Sequence, residues 1–120
     1  MRLLLLITIA SLAGAQTPPS RSGAAPPAGD ARNGKKIFES YGCYQCHGHA
    51  GQGGAGARIA PRPIPFAAFS RYVRQPAGEM PPYTAKVVSD KELADIYAFL
   101  ESIPAPPTAN SIPLLNSAGK

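Results

Sequence analysis

Both cysteines and both histidines of the 120-residue chain lie within eight residues, Gly42 to His49, reading GCYQCHGH. Four side chains of this chemistry packed so closely restrict the fold to few alternatives: a small disulfide loop, a zinc site, a redox dithiol or a covalently attached cofactor. Each requires different support from the rest of the chain.

The two ends leave room for one small domain. Arg2 followed by the apolar stretch Leu3 to Ala10 and the small residues up to Ala15 predicts a secretory signal peptide over 1–15, cleaved after Ala15. Its apolar run is too short for a transmembrane helix of roughly 20 residues. A buried N-terminal helix is the alternative. No cysteine stands at the cleavage point to carry a lipid, so the mature chain is expected in the periplasm with no membrane span. Residues 16–29 are rich in Pro, Ala, Ser and Gly and read as a flexible segment. Residues 105–120 form a Pro-rich C-terminal tail, expected to be disordered, with Ile112, Leu114 and Leu115 available for weak docking. The domain between them, 30–104, is small enough to need a staple such as a disulfide, metal or cofactor.

The formal charge of +5 does not make a nucleic-acid protein. Arg2, Arg21 and Lys120 lie outside the domain, which holds nine Lys/Arg against seven Asp/Glu. These charges are scattered, with no basic block and no interleaved aromatic run, so no nucleic-acid partner is expected.

Three helices are predicted, and no alternating strand. Asp30 can cap a helix to Tyr41, with Ala31, Ile37, Phe38 and Tyr41 near one face and Gly42 ending it. Gly34 within it costs roughly 1 kcal/mol against Ala, which points to a close backbone approach. Pro65 to Arg74 reads as a short helix stopped by Pro76, with Phe66, Phe69 and Val73 on one face. Ser89 to Ile103 opens on a capping box, Ser89-Asp90-Lys91-Glu92, and carries Leu93, Ile96, Tyr97, Leu100 and Ile103 at helical spacing. The fold class is all-α, with long loops over 48–63 and 75–88.

This frame discriminates among the alternatives for the cluster. A Cys43–Cys46 disulfide would close a very small loop, stabilise little and leave His47 unexplained. A thioredoxin-like dithiol needs a βαβ context, which is missing. Zinc needs a second Cys/His pair to complete its tetrahedron. Covalent haem remains: thiols at i and i+3 can add to the two vinyl groups of one porphyrin, and the adjacent His47 can ligate the iron, so Cys43-Tyr44-Gln45-Cys46-His47 reads as a c-type attachment site.

Iron held by His47 needs a sixth ligand or an open position. Met80 is the one candidate methionine once Met1 has left, and it sits in a loop that Pro81 and Pro82 stiffen. His49 is too near His47 in sequence to reach the opposite haem face easily. Filling of a core gap is the competing role for Met80. His/Met ligation raises the potential and leaves no open position for substrate. One-electron transfer without substrate chemistry, not an enzyme, is the expected function.

The stretches GKKIFESYGCYQCH, MPPYT and SDKELADIYAFLESI resemble a small class I cytochrome c over Asp30 to Ile103. The resemblance implies the cytochrome c fold wrapped around one haem c. It also implies a crossing of first and last helices, to which Gly34 and Phe38 contribute from one side and Ile96 and Phe99 from the other. The distal methionine of that family lies in a similar Met-Pro context. The family often holds the ligating histidine by a proline carbonyl, and Ala57 stands at that place here. Arg58, Arg62 and Tyr72 are candidates for the haem propionates, with solvated surface roles as the alternative. Phe66, Phe69, Tyr83 and Leu100 are candidates for apolar haem lining, with ordinary packing as theirs. The expected partners are a redox protein donor and acceptor. A subunit docked on a dehydrogenase or oxidase, an open-site haem sensor or enzyme, and a non-haem metal module are the rival functions.

Overall fold

The computed structural model describes residues 25–117, so the signal peptide read at 1–15 and most of the segment read at 16–29 lie outside the described residues. The described residues form helices α1 (Ala31–Ser40), α2 (Cys43–His47), α3 (Phe66–Arg74), α4 (Asp90–Ser102) and α5 (Pro113–Ser117), with a 3-10 turn at Ala109–Ser111 and no strand. This is the all-α arrangement expected of a cytochrome c fold.

The three long helices start where their capping residues require. The Asp30 carboxylate accepts from the Arg32 and Asn33 amides at 2.9 and 3.1 Å. At α4 the capping box is complete. The Ser89 amide donates to the Glu92 carboxylate at 2.7 Å, and the Glu92 amide donates to the Ser89 hydroxyl at 3.3 Å. Pro65 stands at the cap of α3, one residue before its first helical position.

The core is the crossing of α1 over α4. Phe38, Leu93 and Leu100 are fully enclosed, and the Phe38 and Phe99 rings meet at 5.5 Å, tilted by 56°. Gly34 makes the crossing this tight: a Cβ on it would overlap the Asp95 carbonyl of α4. The lost helix propensity of glycine is thus exchanged for backbone contact between helices. Helix α3 packs against α4 through Phe66 and Phe69, whose rings lie 5.2 and 5.3 Å from that of Tyr97.

Two features go beyond the three predicted helices. After α1, Gly42 takes φ +76°, a left-handed conformation that L side chains rarely adopt, and turns the chain directly into α2. Five residues are too few for an amphipathic period, so α2 has no sequence signature. The Pro-rich tail contributes the 3-10 turn and α5, in which Leu114 and Leu115 are exposed while Ile112 is half-buried.

Candidate functional site

Helix α2 is the Cys-x-x-Cys-His segment itself, held from both sides. Its C-terminal carbonyls are caught by the glycine loop that follows. The Gly56 amide donates to Cys46 O and the Gly53 amide to His47 O, both at 2.8 Å. Small residues are needed for this wrap. A Cβ on Gly56 would lie 3.0 Å from His47 Cε1, 3.1 Å from Nδ1 and 3.2 Å from Cys46 Cβ. The loop returns to the core where the Ile59 and Ala60 amides donate to Gly51 O at 2.9 and 3.0 Å.

His47 Nδ1 lies 2.7 Å from the Ala57 carbonyl oxygen. A carbonyl only accepts, so Nδ1 carries a proton and donates, which in the neutral ring is the tautomer that leaves the lone pair on Nε2. The proline expected at this place is dispensable because the partner is a backbone atom. His49 makes other contacts. Its ring stacks on Tyr44 with centroids 4.5 Å apart, and its Nδ1 is 3.9 Å from Glu39 of α1.

Cys43 and Cys46 are not joined to each other. Met80, Tyr83, Phe66 and Ile59 are each partly buried against the apolar core, as is Cys43. Burial pushes its thiol pKa up, partly offset by a backbone hydrogen bond and by one with the Tyr83 side chain. Burial also raises Tyr83, reinforced by its proximity to Cys43 and Cys46. Among the described residues, no three His, Cys, Asp or Glu side chains converge on a common metal position.

The predicted site residues separate into two groups. Met80 and Tyr83, on the loop between α3 and α4, are both partly buried against the core, Tyr83 beside Cys43, and the Tyr83 hydroxyl donates to Tyr41 O at 3.0 Å. Phe66 is half-buried, while Phe69 and Leu100 lie within the core, Leu100 with no exposed surface. The propionate candidates are spread more widely. Arg58 is exposed and reaches Gln52 O at 3.4 Å, and Tyr72 donates to Ala77 O at 3.0 Å. Arg62 is exposed in a cleft of about 400 Å³, beside Pro106 and Thr108 of the tail.

Two residues that hold the scaffold together carried no sequence prediction. Arg74 bonds Tyr83 O, Val88 O and Asp90. Asp95, fully buried, receives hydrogen bonds from Asp30, Asn33 and Lys91. A single carboxylate interrupting the apolar stripe from Leu93 to Leu100 is the signal that could have revealed Asp95. For Arg74 there was none, because a basic residue in the last turn of a helix is ordinary.

The donor set suits a porphyrin: two thiols one helical turn apart, an imidazole whose second nitrogen is already oriented, and a neutral thioether on a separate loop, partly buried against the core. The sequence matches, over residues 29–100, the family described as cytochrome C oxidase, cbb3-type, subunit III. No significant match to a curated protein or to a solved structure was found.

Proposed function

Because the chain belongs to the cbb3-type cytochrome c oxidase subunit III family and carries a c-type cytochrome domain, we propose that it is a periplasmic one-electron carrier. In this reading one haem is attached through Cys43 and Cys46, His47 and Met80 ligate its iron, and no substrate is transformed. The domain type itself implies haem and redox partners; the covalent attachment, axial pair, compartment and lack of enzymatic activity are the proposal.

The observation that carries it is the 2.7 Å approach of His47 Nδ1 to Ala57 O. With the Nδ1 proton committed to a backbone carbonyl, the neutral imidazole has one tautomer and one orientation, with Nε2 left to ligate. When bound, the haem supplies a one-electron iron couple whose potential His/Met ligation raises. The chain's own part is to keep that couple rigid and dry. The Gly53 and Gly56 amides fix α2, the glycine loop leaves space for the His47 ring, and Phe66, Tyr83 and Ile59 supply apolar surface partly buried against the core. If His47 and Met80 both hold the iron, no position would remain for a substrate.

A second reading, favoured by the family itself, is an electron-transfer subunit docked on an oxidase. No helix among the described residues is long and apolar enough to cross a membrane, so such docking would run through protein contacts of this domain or through residues outside the described ones.

The test is the visible spectrum of the exported, purified protein with its Met80→Ala variant. The expected result is pigment that survives denaturing electrophoresis. The oxidised wild type should also show a sulfur-to-iron charge-transfer band that vanishes in the variant. Colourless protein, or a band that persists without Met80, overturns the assignment. Co-purification with a large membrane complex would select the docked reading over the free carrier.

A further inference from the structure

Met80 lies in a segment with no regular secondary structure, yet the chain on both sides of it is tied to one place. Three consecutive residues in the last turn of α3 hold it. The Tyr72 hydroxyl donates to Ala77 O at 3.0 Å, and Val73 O accepts from the Tyr83 amide at 3.0 Å. Arg74 Nη1 donates to Tyr83 O at 2.8 Å. The attachment points, Ala77 and Tyr83, flank Met80 by three residues each.

Arg74 does more than its neighbours. The same Nη1 donates to Val88 O at 2.7 Å, and Nη2 meets the Asp90 carboxylate at 2.7 Å. One guanidinium therefore gathers the descending half of the loop and the first residue of α4. Its side chain is only 18 % exposed, so its bonds to the Tyr83 and Val88 carbonyls are partly sheltered from water, whereas the Asp90 carboxylate is 86 % exposed. The planar fork matters, since a lysine ammonium offers a point charge on a flexible stem.

We propose that Arg74 is a positioning residue for the distal ligand: by tying Tyr83, Val88 and Asp90 together it holds the Met80 loop closed over the haem crevice. This rests on the reading of Met80 as the sixth ligand. An untied loop swings away more often, and ligand exchange at iron then follows the population of the Met80-off state.

The experiment uses the full-length exported holoprotein as wild type, Arg74→Ala, Arg74→Lys, Met80→Ala and Asp95→Asn. Three quantities are read: the sulfur-to-iron band of the oxidised form, the CO association rate of the reduced form, and hydrogen exchange of residues 77–88. Arg74→Ala is expected to keep its haem and helices, weaken the band, bind CO about tenfold faster or more, and lose protection in 77–88 while α1 and α4 stay protected. Arg74→Lys should follow Arg74→Ala. If Arg74→Ala does not fold, the lysine variant carries the test. Asp95→Asn, which weakens the α1–α4 crossing far from the loop, should leave band and CO rate unchanged. Wild-type behaviour of both Arg74 variants overturns the proposal, as does an equal loss in Asp95→Asn, which would make the effect one of general stability. A band unaffected by Met80→Ala overturns the ligand reading instead, and the exchange of 77–88 then reports on the loop tie alone.

Discussion

The Asp95 carboxylate receives the Asp30 amide at 2.8 Å, so the residue that caps α1 is bonded to the buried face of α4, sixty-five positions away. The Asn33 amide group and the Lys91 ammonium complete its shell at 2.8 and 2.9 Å. Burial acts to raise the Asp95 pKa, but the hydrogen bonds from Asp30, Lys91 and Asn33 outweigh it and bring it below the ordinary value. A depressed carboxylate gives stability that is complete above its unfolded pKa of about 3.9 and lost as pH falls through the folded value. Asp95→Asn should cost about 2 kcal/mol at neutral pH, because its new amide donors face those of Asn33 and Lys91. Urea unfolding between neutral and acidic pH checks this: the variant should show a shallower loss of stability on acidification than wild type. The remaining acid slope includes Glu92, whose pKa the Ser89 amide and hydroxyl hold down.

Gly34→Ala tests the crossing itself. Helix propensity alone would favour alanine by roughly 1 kcal/mol. The added methyl would overlap the Asp95 carbonyl, a backbone atom that cannot rotate aside. Overpacking of about 1–3 kcal/mol should win, lowering the denaturation midpoint with little change in slope. A variant as stable as wild type would mean that α1 can ride higher on α4 without loss.

Local signals made much of this fold readable. The capping box at Ser89, the cap at Asp30 and the stripe from Leu93 to Leu100 depend on residues within a few positions of one another, so their physics is present in a short window. The Cys43–His47 motif is readable for the same reason, and Gly34 showed a helix cost that suggested a close neighbour, which the Asp95 carbonyl supplies. Polar contacts over long sequence distances were not readable. Asp95 meets Asp30 across the domain, and Arg74 meets Val88 fourteen residues on. Neither partner can be inferred until the helices are placed. Helix α2 escaped because its shape comes from a left-handed glycine and from amides of the following loop, not from periodicity.

Gly56→Val probes the seat of His47. The built Cβ already comes within 3.0 Å of the imidazole, so two further methyl carbons must push the ring or the loop aside. The bond from His47 Nδ1 to Ala57 O should break, releasing the ring orientation. The expected outcome is a lower yield of pigmented protein and a shifted reduction potential, read by redox titration, with helical content retained outside α2. Gly56→Ala should show the same effects more weakly.

The covalent attachment can be tested thiol by thiol. Cys43 is half-buried beside Tyr83, whereas Cys46 is exposed. If each sulfur is bonded to the porphyrin, denatured wild-type protein presents no thiol to iodoacetamide and keeps its colour. In Cys46→Ala one bond remains, so the pigment should still survive denaturation while its absorption shifts toward that of a haem with one unreacted vinyl. The double variant Cys43→Ala, Cys46→Ala should release any haem it binds into acidified organic solvent. Mass spectrometry of the alkylated wild type decides the matter: two carbamidomethyl groups and no haem mass would return the Cys43–Cys46 pair to the status of a free dithiol and remove the basis for a c-type centre.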